Sequence, residues 1–282
     1  MDPNRLFSPV AHILPPMSTA YPTTAPHSNL PFLQFYPFFM DYRFPVLFAT
    51  IYVVSVSILN PTSNNVSRVV AMQKGLKPSS VKKSSSSMTT FVFLHNLFLF
   101  IFSLATFVNV TPALVKNYTT HNFTDAYCDR DGSFWDNALG YWGYLFYLSK
   151  LIDTIIILLK SRRSSLLQTY HHAGAMITMW AGMNFRAAPI WIFVVFNSFI
   201  HTIMYAYYAL TCIGINPPGK KYLTSMQITQ FLIGTTIAFS YLFVDNCLTN
   251  DGTVLATWIN LVYLLPLIYL FVDFAKNTYS KK

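Results

Sequence analysis

The chain has 282 residues, of which 53% are hydrophobic and only 10% are charged. A soluble globular domain carries about 25% charged residues, so this composition excludes an ordinary water-soluble protein and predicts an all-α integral membrane protein of one domain. The net charge of +9 does not indicate nucleic-acid binding, because the basic residues fall in short loops between apolar segments.

The first forty residues are rich in proline and contain no apolar signal sequence. We expect residues 1–40 to be a disordered, non-cytosolic segment whose last part, residues 30–40, lies at the membrane interface. Residues 41–276 are predicted to form the helical membrane domain. Residues 277–282 are then a basic cytosolic tail.

Seven apolar segments are long enough to cross a membrane, which takes about 20 helical residues. They are predicted at residues 43–60, 91–110, 139–160, 164–183, 188–212, 222–245 and 253–275. Only residues 160–163 separate the third segment from the fourth, so a half-span or a tight hairpin is an alternative there.

Loop charges give the orientation of these spans. Basic residues concentrate in alternate loops, at residues 68–83, 160–163, 220–221 and 276–282, whereas eight of the ten Asp lie on the opposite side. The positive-inside rule therefore predicts a non-cytosolic N-terminus and a cytosolic C-terminus. Cys128 and Cys247 then share the non-cytosolic side, where we expect a disulfide between them, the alternative being two free thiols. Asn117 and Asn122 begin glycosylation sequons on that side.

Polar residues inside the apolar segments fall at a similar distance from the predicted cytosolic end. The five sets are His95 and Asn96; Lys150 and Asp153; Gln168, His171 and His172; Asn197, His201, Tyr205 and Tyr208; and Thr224, Gln227 and Gln230. Spacings of three and four residues put each set on one helix face. Each residue alone is explained by helix packing, and Lys150 and Asp153 are expected to neutralise each other. Together the sets predict one polar chamber.

The residue types in this chamber suit acid–base or nucleophilic chemistry. A neutral imidazole acts as a base or a nucleophile, and the side chains of Gln168, Asn197, Tyr205 and Gln227 suit an oxyanion. Four His with one Asp and no Glu are too few for a di-iron centre. No metal is predicted, and a single zinc or other metal ion is the alternative. Nucleotide-binding motifs are absent from the sequence, so no nucleotide cofactor is expected.

Four motifs in order resemble those of the ELO family of fatty acid elongases. Gln168-Thr-Tyr-His171-His172 resembles the HxxHH box, and the segment from Asn197 to Tyr208 resembles NxxxHxxMYxYY. Residues 224–230 resemble TxxQxxQ, and residues 153–154 match the DT pair. His95-Asn96 is similar to a shorter signature in the second span. The resemblance covers about residues 40–276.

The resemblance implies a seven-helix enzyme of the endoplasmic reticulum whose helices enclose a narrow acyl tunnel. Its reaction condenses malonyl-CoA with a long-chain, including polyunsaturated, acyl-CoA to give 3-ketoacyl-CoA, CO2 and CoA without a cofactor. His171 would be the acyl acceptor, His201 its partner and His172 an orienting group, with Lys220 and Lys221 near the CoA phosphates. The implied partners are membrane lipid and the ketoreductase, dehydratase and enoyl reductase of the elongation cycle; a homodimer is one option.

Two departures from the family pattern stand out. Gln168 replaces the first His of the box, so that position cannot titrate. The family's KxxExxDT is shortened to Lys150-Leu-Ile-Asp153-Thr154. Either Lys150 matches the Lys, with Asp153 in the place of the Glu, or Asp153 matches the Asp; we prefer the second because the distance to Gln168 then fits better. A catalytically inactive homologue and a seven-helix lipid transporter or receptor are the alternative functions.

Overall fold

The computed structural model describes residues 27–59, 86–159 and 164–279, and the regular structure in these ranges is helical. The α-helices are α1 (Tyr36–Met40), α2 (Arg43–Leu59), α3 (Ser86–Thr120), α4 (Phe123–Cys128), α5 (Gly140–Leu159), α6 (Leu166–Asn184), α7 (Ile190–Cys212), α8 (Lys220–Ser240) and α9 (Asp251–Tyr279). Short 3-10 turns occur at Leu33–Phe35 and Tyr241–Phe243, and a π-helical turn at Trp135–Leu139 leads into α5. Most of the basic loop residues used for the orientation, together with the last three residues, lie outside the described ranges.

Each of the seven predicted spans coincides with a helix. Four of the described helices, α3, α7, α8 and α9, are long and apolar enough to cross a membrane individually. A fifth span is possible if the segments Leu33–Met40 and Arg43–Leu59, which meet at 72°, count as one. Helix α6 is not among them, because Gln168, His171 and His172 lower its mean hydropathy. The fold is therefore that of an all-helical, polytopic membrane protein with four to five such spans in the described residues.

Six of the long helices form a closed ring. The most extensive packing joins α3 to α7, and the ring continues from α7 to α8, α9, α6 and α5. Helix α5 closes it by packing on both α3 and α7. Helix α2 lies outside the ring against α6 and α5. The polar faces predicted on α3, α5, α6, α7 and α8 can therefore converge on one interior.

The segment before α2 is ordered where the structure describes it. Leu30, Tyr36 and Met40 are buried in the main hydrophobic core. The indole Nε1 of Trp180 donates to the carbonyl oxygen of Met40 at 2.7 Å, and the hydroxyl of Tyr147 donates to that of Phe39 at 3.2 Å. Residues 36–40 thus belong to the folded domain, because their aromatic residues pack onto α5 and α6.

The predicted non-cytosolic end is closed by covalent and polar contacts. A disulfide joins Cys128, at the end of α4, to Cys247, in the loop before α9. The carboxylate of Asp129 accepts hydrogen bonds from the backbone N–H groups of Phe134 and Trp135 at 3.0 and 2.8 Å. Arg130 bridges the carboxylate of Asp125 and the carbonyl of Asp245. These contacts hold the α4 region against the loop between α8 and α9.

The two sequons on this side differ in their surroundings. Asn117 is buried, and its Nδ2 donates to the carbonyl oxygen of Ala126 at 2.9 Å. Asn122 is exposed and caps α4, where its Oδ1 accepts from the backbone N–H of Asp125. Of the two sequon asparagines, Asn122 is therefore accessible in the folded chain and Asn117 is not.

Candidate active site

The interior of the helix ring contains a cavity of about 390 Å³. Fourteen of the sixteen site residues predicted from the sequence line this one cavity: Asn96, Lys150, Asp153, Gln168, His171, His172, Asn197, His201, Tyr205, Tyr208, Lys220, Thr224, Gln227 and Gln230. Two do not. His95 lies behind Asp153, and Lys221 is an exposed residue whose ammonium lies over the ring of Tyr222.

The first turn of α6 places the histidine box. Ser165 caps the helix, its side chain accepting a hydrogen bond from the backbone N–H of Gln168. Gln168 Oε1 accepts from Ser164 at 3.4 Å. One turn later the rings of His171 and His172 lie 5.4 Å apart and almost perpendicular, as expected for neighbours about 100° apart on a helix. The two imidazoles therefore have different partners.

His171 is held by Tyr263 of α9. The Tyr263 hydroxyl lies 2.9 Å from Nδ1 of His171 and donates to the carbonyl oxygen of His171 at 3.2 Å. A tyrosine hydroxyl has a single proton, and a carbonyl oxygen can only accept. With both contacts made, His171 Nδ1 must carry the imidazole proton and donate it to Tyr263, which leaves Nε2 as the nitrogen with a free lone pair.

The protonated nitrogen of His172 follows from the same reasoning, with Thr154 as the partner. The hydroxyl of Thr154 donates to the carbonyl oxygen of Lys150 at 2.7 Å, and His172 Nδ1 lies 3.2 Å from the same hydroxyl. His172 Nδ1 is therefore the donor in this second contact. Its ring also lies 6.2 Å from that of Tyr52 on the outer helix α2. These contacts fit the orienting role expected of His172.

Asp153 is the buried acid of the site. One of its carboxylate oxygens lies 3.0 Å from His95 Nε2, and the other accepts from the Tyr205 hydroxyl at 3.0 Å. Asp153 is only 8% exposed, so these two partners satisfy a carboxylate that would be costly to bury alone. The contacts join α3, α5 and α7 at the depth of the cavity.

Lys150 does not pair with Asp153, although their spacing predicted that they would neutralise each other. Its Nζ instead lies 3.2 Å from Asn197 Oδ1 and 3.3 Å from His201 Nδ1, above the ring of Phe146 at 4.3 Å. The two side chains make no direct contact because α7 and α3 supply closer partners to each of them, although the two charges still attract each other electrostatically.

Part of the cavity wall consists of residues that were not predicted from the sequence. Apolar and aromatic side chains line it beside His171: Leu167, Met204, Leu223, Phe231, Phe271 and Phe274. The rings of Phe231 and Phe271 each lie 6.4 Å from that of His171. Met204 belongs to the NxxxHxxMYxYY segment, but the other five residues and Tyr263 had no sequence signal, because apolar and aromatic side chains are common throughout membrane spans. Within the described residues, no group of three or more His, Cys or Asp is arranged to hold a metal ion.

Comparison with known proteins decides the family. The sequence profile of the ELO (GNS1/SUR4) family matches residues 37–282, which is most of the chain. The chain belongs to the ELO family. Elongases of this family are 3-ketoacyl-CoA synthases that use acyl-CoA and malonyl-CoA, so this ELO chain is an acyltransferase of fatty acid elongation and a multi-pass membrane protein.

Individual relatives are similar to this ELO chain over most of its length. It is 29% identical to fatty acid elongase A of Dictyostelium discoideum over 221 residues, covering 76% of this chain and 80% of that one. It is 31% identical to fatty acid elongase sre1 of the same organism over 208 residues, 72% of this chain and 71% of that one. Very long chain fatty acid elongase 6 of Gallus gallus is 31% identical over 198 residues, 67% of this chain and 73% of that one. No solved structure is significantly similar to the chain.

Proposed function

We propose that this protein condenses malonyl-CoA with a long-chain acyl-CoA through an acyl-enzyme on His171, and that polyunsaturated chains are among its substrates. The proposal includes seven spans in the membrane of the endoplasmic reticulum, with the N-terminus lumenal and the C-terminus cytosolic. All seven predicted spans correspond to helices, which supports the topology. The reaction requires no cofactor, because carbon dioxide release drives the bond formation.

One observation carries the mechanism: His171 lines the cavity with its Nδ1 on Tyr263 and its Nε2 left for reaction. An imidazole with a free lone pair is a nucleophile at neutral pH and needs no separate base. The rings of Phe231 and Phe271 make the wall beside His171 apolar, which would slow the hydrolysis of an acyl-imidazole. These features support His171 as the acyl acceptor.

In the first half-reaction, His171 Nε2 attacks the thioester carbon of the acyl-CoA. The C–N bond forms, the C–S bond breaks, and the CoA thiolate leaves and takes a proton from water at the mouth. The resulting acyl-imidazole keeps its Nδ1 proton on Tyr263, which maintains it as a cationic and therefore reactive acyl donor. The neutral donors and dipoles of the cavity stabilise the charge on the thioester oxygen.

In the second half-reaction, malonyl-CoA loses CO2 and leaves an enolate of its thioester. The enolate carbon attacks the acyl carbon, a C–C bond forms, and the C–N bond to His171 breaks. His171 returns to its starting state, and the product is a 3-ketoacyl-CoA two carbons longer. His201 and Asn197 line the same cavity, which supports their place beside the reacting carbons.

The two ends of the cavity suit the two ends of the substrate. Lys220 is an exposed residue on the cavity wall at the start of α8, and its charge suits the CoA phosphates. The apolar wall of Phe231, Phe271 and Phe274 suits the acyl chain. Since the product retains a ketone, a ketoreductase, a dehydratase and an enoyl reductase must act after this enzyme, and we propose them as its partners.

The test is incorporation of labelled malonyl-CoA into 3-ketoacyl-CoA by membranes that contain the expressed chain, over a series of acyl-CoA lengths. We expect incorporation in the wild type and its loss in His171→Ala. The matched control is His121→Ala, which removes a partly exposed imidazole beside Asp131, away from the cavity. A well-folded wild type that forms no product with any acyl-CoA would favour an inactive homologue. Normal turnover in His171→Ala would exclude the acyl-enzyme.

A further inference from the structure

Lys150 is a buried cation whose direct contacts are with neutral groups. It is 7% exposed, and its Nζ contacts Asn197 Oδ1, His201 Nδ1 and the face of the Phe146 ring. Among the described residues, none of the ion pairs within 4.0 Å includes Lys150. Asp153 attracts this ammonium group without contacting it, and a buried ammonium with no carboxylate in direct contact is costly, which indicates that it serves the site rather than the stability of the fold.

The contact between Lys150 and His201 determines which ring nitrogen of His201 carries the proton. An ammonium group has three donors and no acceptor, so His201 Nδ1 must accept and cannot carry a proton in the contact seen here. A neutral His201 then has its proton on Nε2. This is the opposite of His171, whose Nδ1 carries the proton and whose Nε2 is free. The cavity therefore holds two histidines in complementary states.

The departure from the family motif lies at this position. With Asp153 matched to the Asp of KxxExxDT, Lys150 stands three residues earlier, where the motif has Glu. A carboxylate there would accept from a protonated Nδ1 of His201 and leave Nε2 as a base. Lysine reverses this arrangement, because it can only donate. In this register, the substitution would change which atom of His201 carries the proton.

We propose that Lys150 is a positioning residue that holds His201 as an Nε2–H donor toward the substrate oxygen. This proposal rests on the elongase function proposed above. His201 would donate to the thioester oxygen as His171 attacks, and to the enolate oxygen as CO2 leaves, and it keeps its proton throughout. His171 supplies the lone pair and His201 supplies the hydrogen bond, so neither step needs His201 as a base.

The kinetic test compares Lys150→Met, Lys150→Arg and Lys150→Glu with Lys116→Met, an exposed lysine at the far end of α3 that undergoes the same chemical change. Loss of an oriented donor costs about 100-fold in kcat or more, so we expect Lys150→Met to lose about that much with little change in KM. Lys150→Arg, which also only donates, should recover at least tenfold of this loss. Equal activity in Lys150→Met and the wild type would overturn the proposal.

The decisive readout is the tautomer of His201, measured by 15N NMR on the full-length, 15N-histidine-labelled enzyme in nanodiscs. The chain has only seven histidines, and His201→Gln identifies the resonances of residue 201. We expect a protonated Nε2 and an unprotonated Nδ1 in the wild type and in Lys150→Arg, and the reverse in Lys150→Glu. A wild-type His201 protonated on Nδ1, or on both nitrogens, would overturn the proposal. If the NMR shows the expected tautomer of His201 but the chain has no condensing activity, the result would contradict the elongase function and not the role of Lys150.

Discussion

The hydroxyl of Tyr263 contacts both the ring nitrogen Nδ1 and the carbonyl oxygen of His171, at 2.9 and 3.2 Å. The tyrosine comes from α9 and the histidine from α6, so the contact joins the first box of the site to the last helix of the ring. Tyr170 adds a third bond in the same place, its hydroxyl donating to the backbone oxygen of Tyr263 at 3.1 Å. This arrangement sets the proton on His171 and fixes its ring.

Tyr263→Phe removes only the hydroxyl of this contact. We expect kcat to fall roughly fivefold, because a lost hydrogen bond costs about 1 kcal/mol and the Nδ1 proton no longer has a fixed partner. Tyr269→Phe is the matched control on the same helix, since Tyr269 is 70% exposed. Condensation assays at saturating acyl-CoA measure the effect. Unchanged kcat in Tyr263→Phe would mean that the hydroxyl does not set the reactive state of His171.

Gly174→Ala tests the same contact from the α6 side. A methyl group at Gly174 would overlap the ring of Tyr263, which lies directly on the helix backbone there. We expect an activity loss at least as large as in Tyr263→Phe and a lower melting temperature, because overpacking costs about 1–3 kcal/mol. Gly234→Ala is the comparison, since its new carbon would lie 3.3 Å from the Ile192 side chain, a tight contact that a shift of a few tenths of an ångström relieves. Equal behaviour of the two variants would contradict the account.

Asp153 and His95 form a buried pair that should behave as one unit. Asp153→Ala leaves His95 without its carboxylate, and breaking a buried pair costs about 3–5 kcal/mol in stability. Adding His95→Ala to this variant should cost far less than His95→Ala costs alone, because the partner is already lost. Thermal unfolding of the wild type, the two single variants and the double variant in the same detergent measures the coupling free energy between Asp153 and His95. Strictly additive effects would show that the contact contributes nothing.

The Cys128–Cys247 bond closes a sequence separation of 119 residues. Cross-links of this length stabilise folded chains by about 2–5 kcal/mol, so Cys128→Ser should lower the melting temperature, and the double serine variant should be no worse. Thiol labelling of the denatured wild type should modify only Cys212 before reduction and all three cysteines after it. Three reactive thiols without reduction would show that the bond is absent.

Polar residues in apolar segments made most of the site predictable. Gln168, His201 and Gln227 are conspicuous in the sequence because such groups are costly in lipid, and the structure brings them to one cavity. The hydrogen-bond partners of the polar residues could not be predicted. The spacing of Lys150 and Asp153 suggested a local pair, but the contacts with His201 and His95 come from helices 51 and 58 residues away along the chain. A single sequence does not show which distant residues compete with local ones for contact with a charged side chain.

The aromatic residues of the site could not be identified from the sequence. The chain has 25 Phe and 18 Tyr, so Tyr263 and Phe271 could not be told from ordinary lipid-facing or core side chains. The same holds for Tyr36, which lies in a proline-rich stretch expected to be disordered and is buried against Tyr144. Helix positions followed from hydropathy, whereas the ring order of the helices depends on side-chain packing that hydropathy does not encode.

The most direct measurement of the central claim is CoA release from acyl-CoA in the absence of malonyl-CoA. A covalent acyl-enzyme predicts a rapid burst of about one equivalent of CoA per active site, followed by a slow phase limited by hydrolysis. The burst should disappear in His171→Ala and persist in His121→Ala. If the wild type releases CoA only after malonyl-CoA is added, or if His171→Ala gives the same burst as the wild type, His171 is not the acyl acceptor.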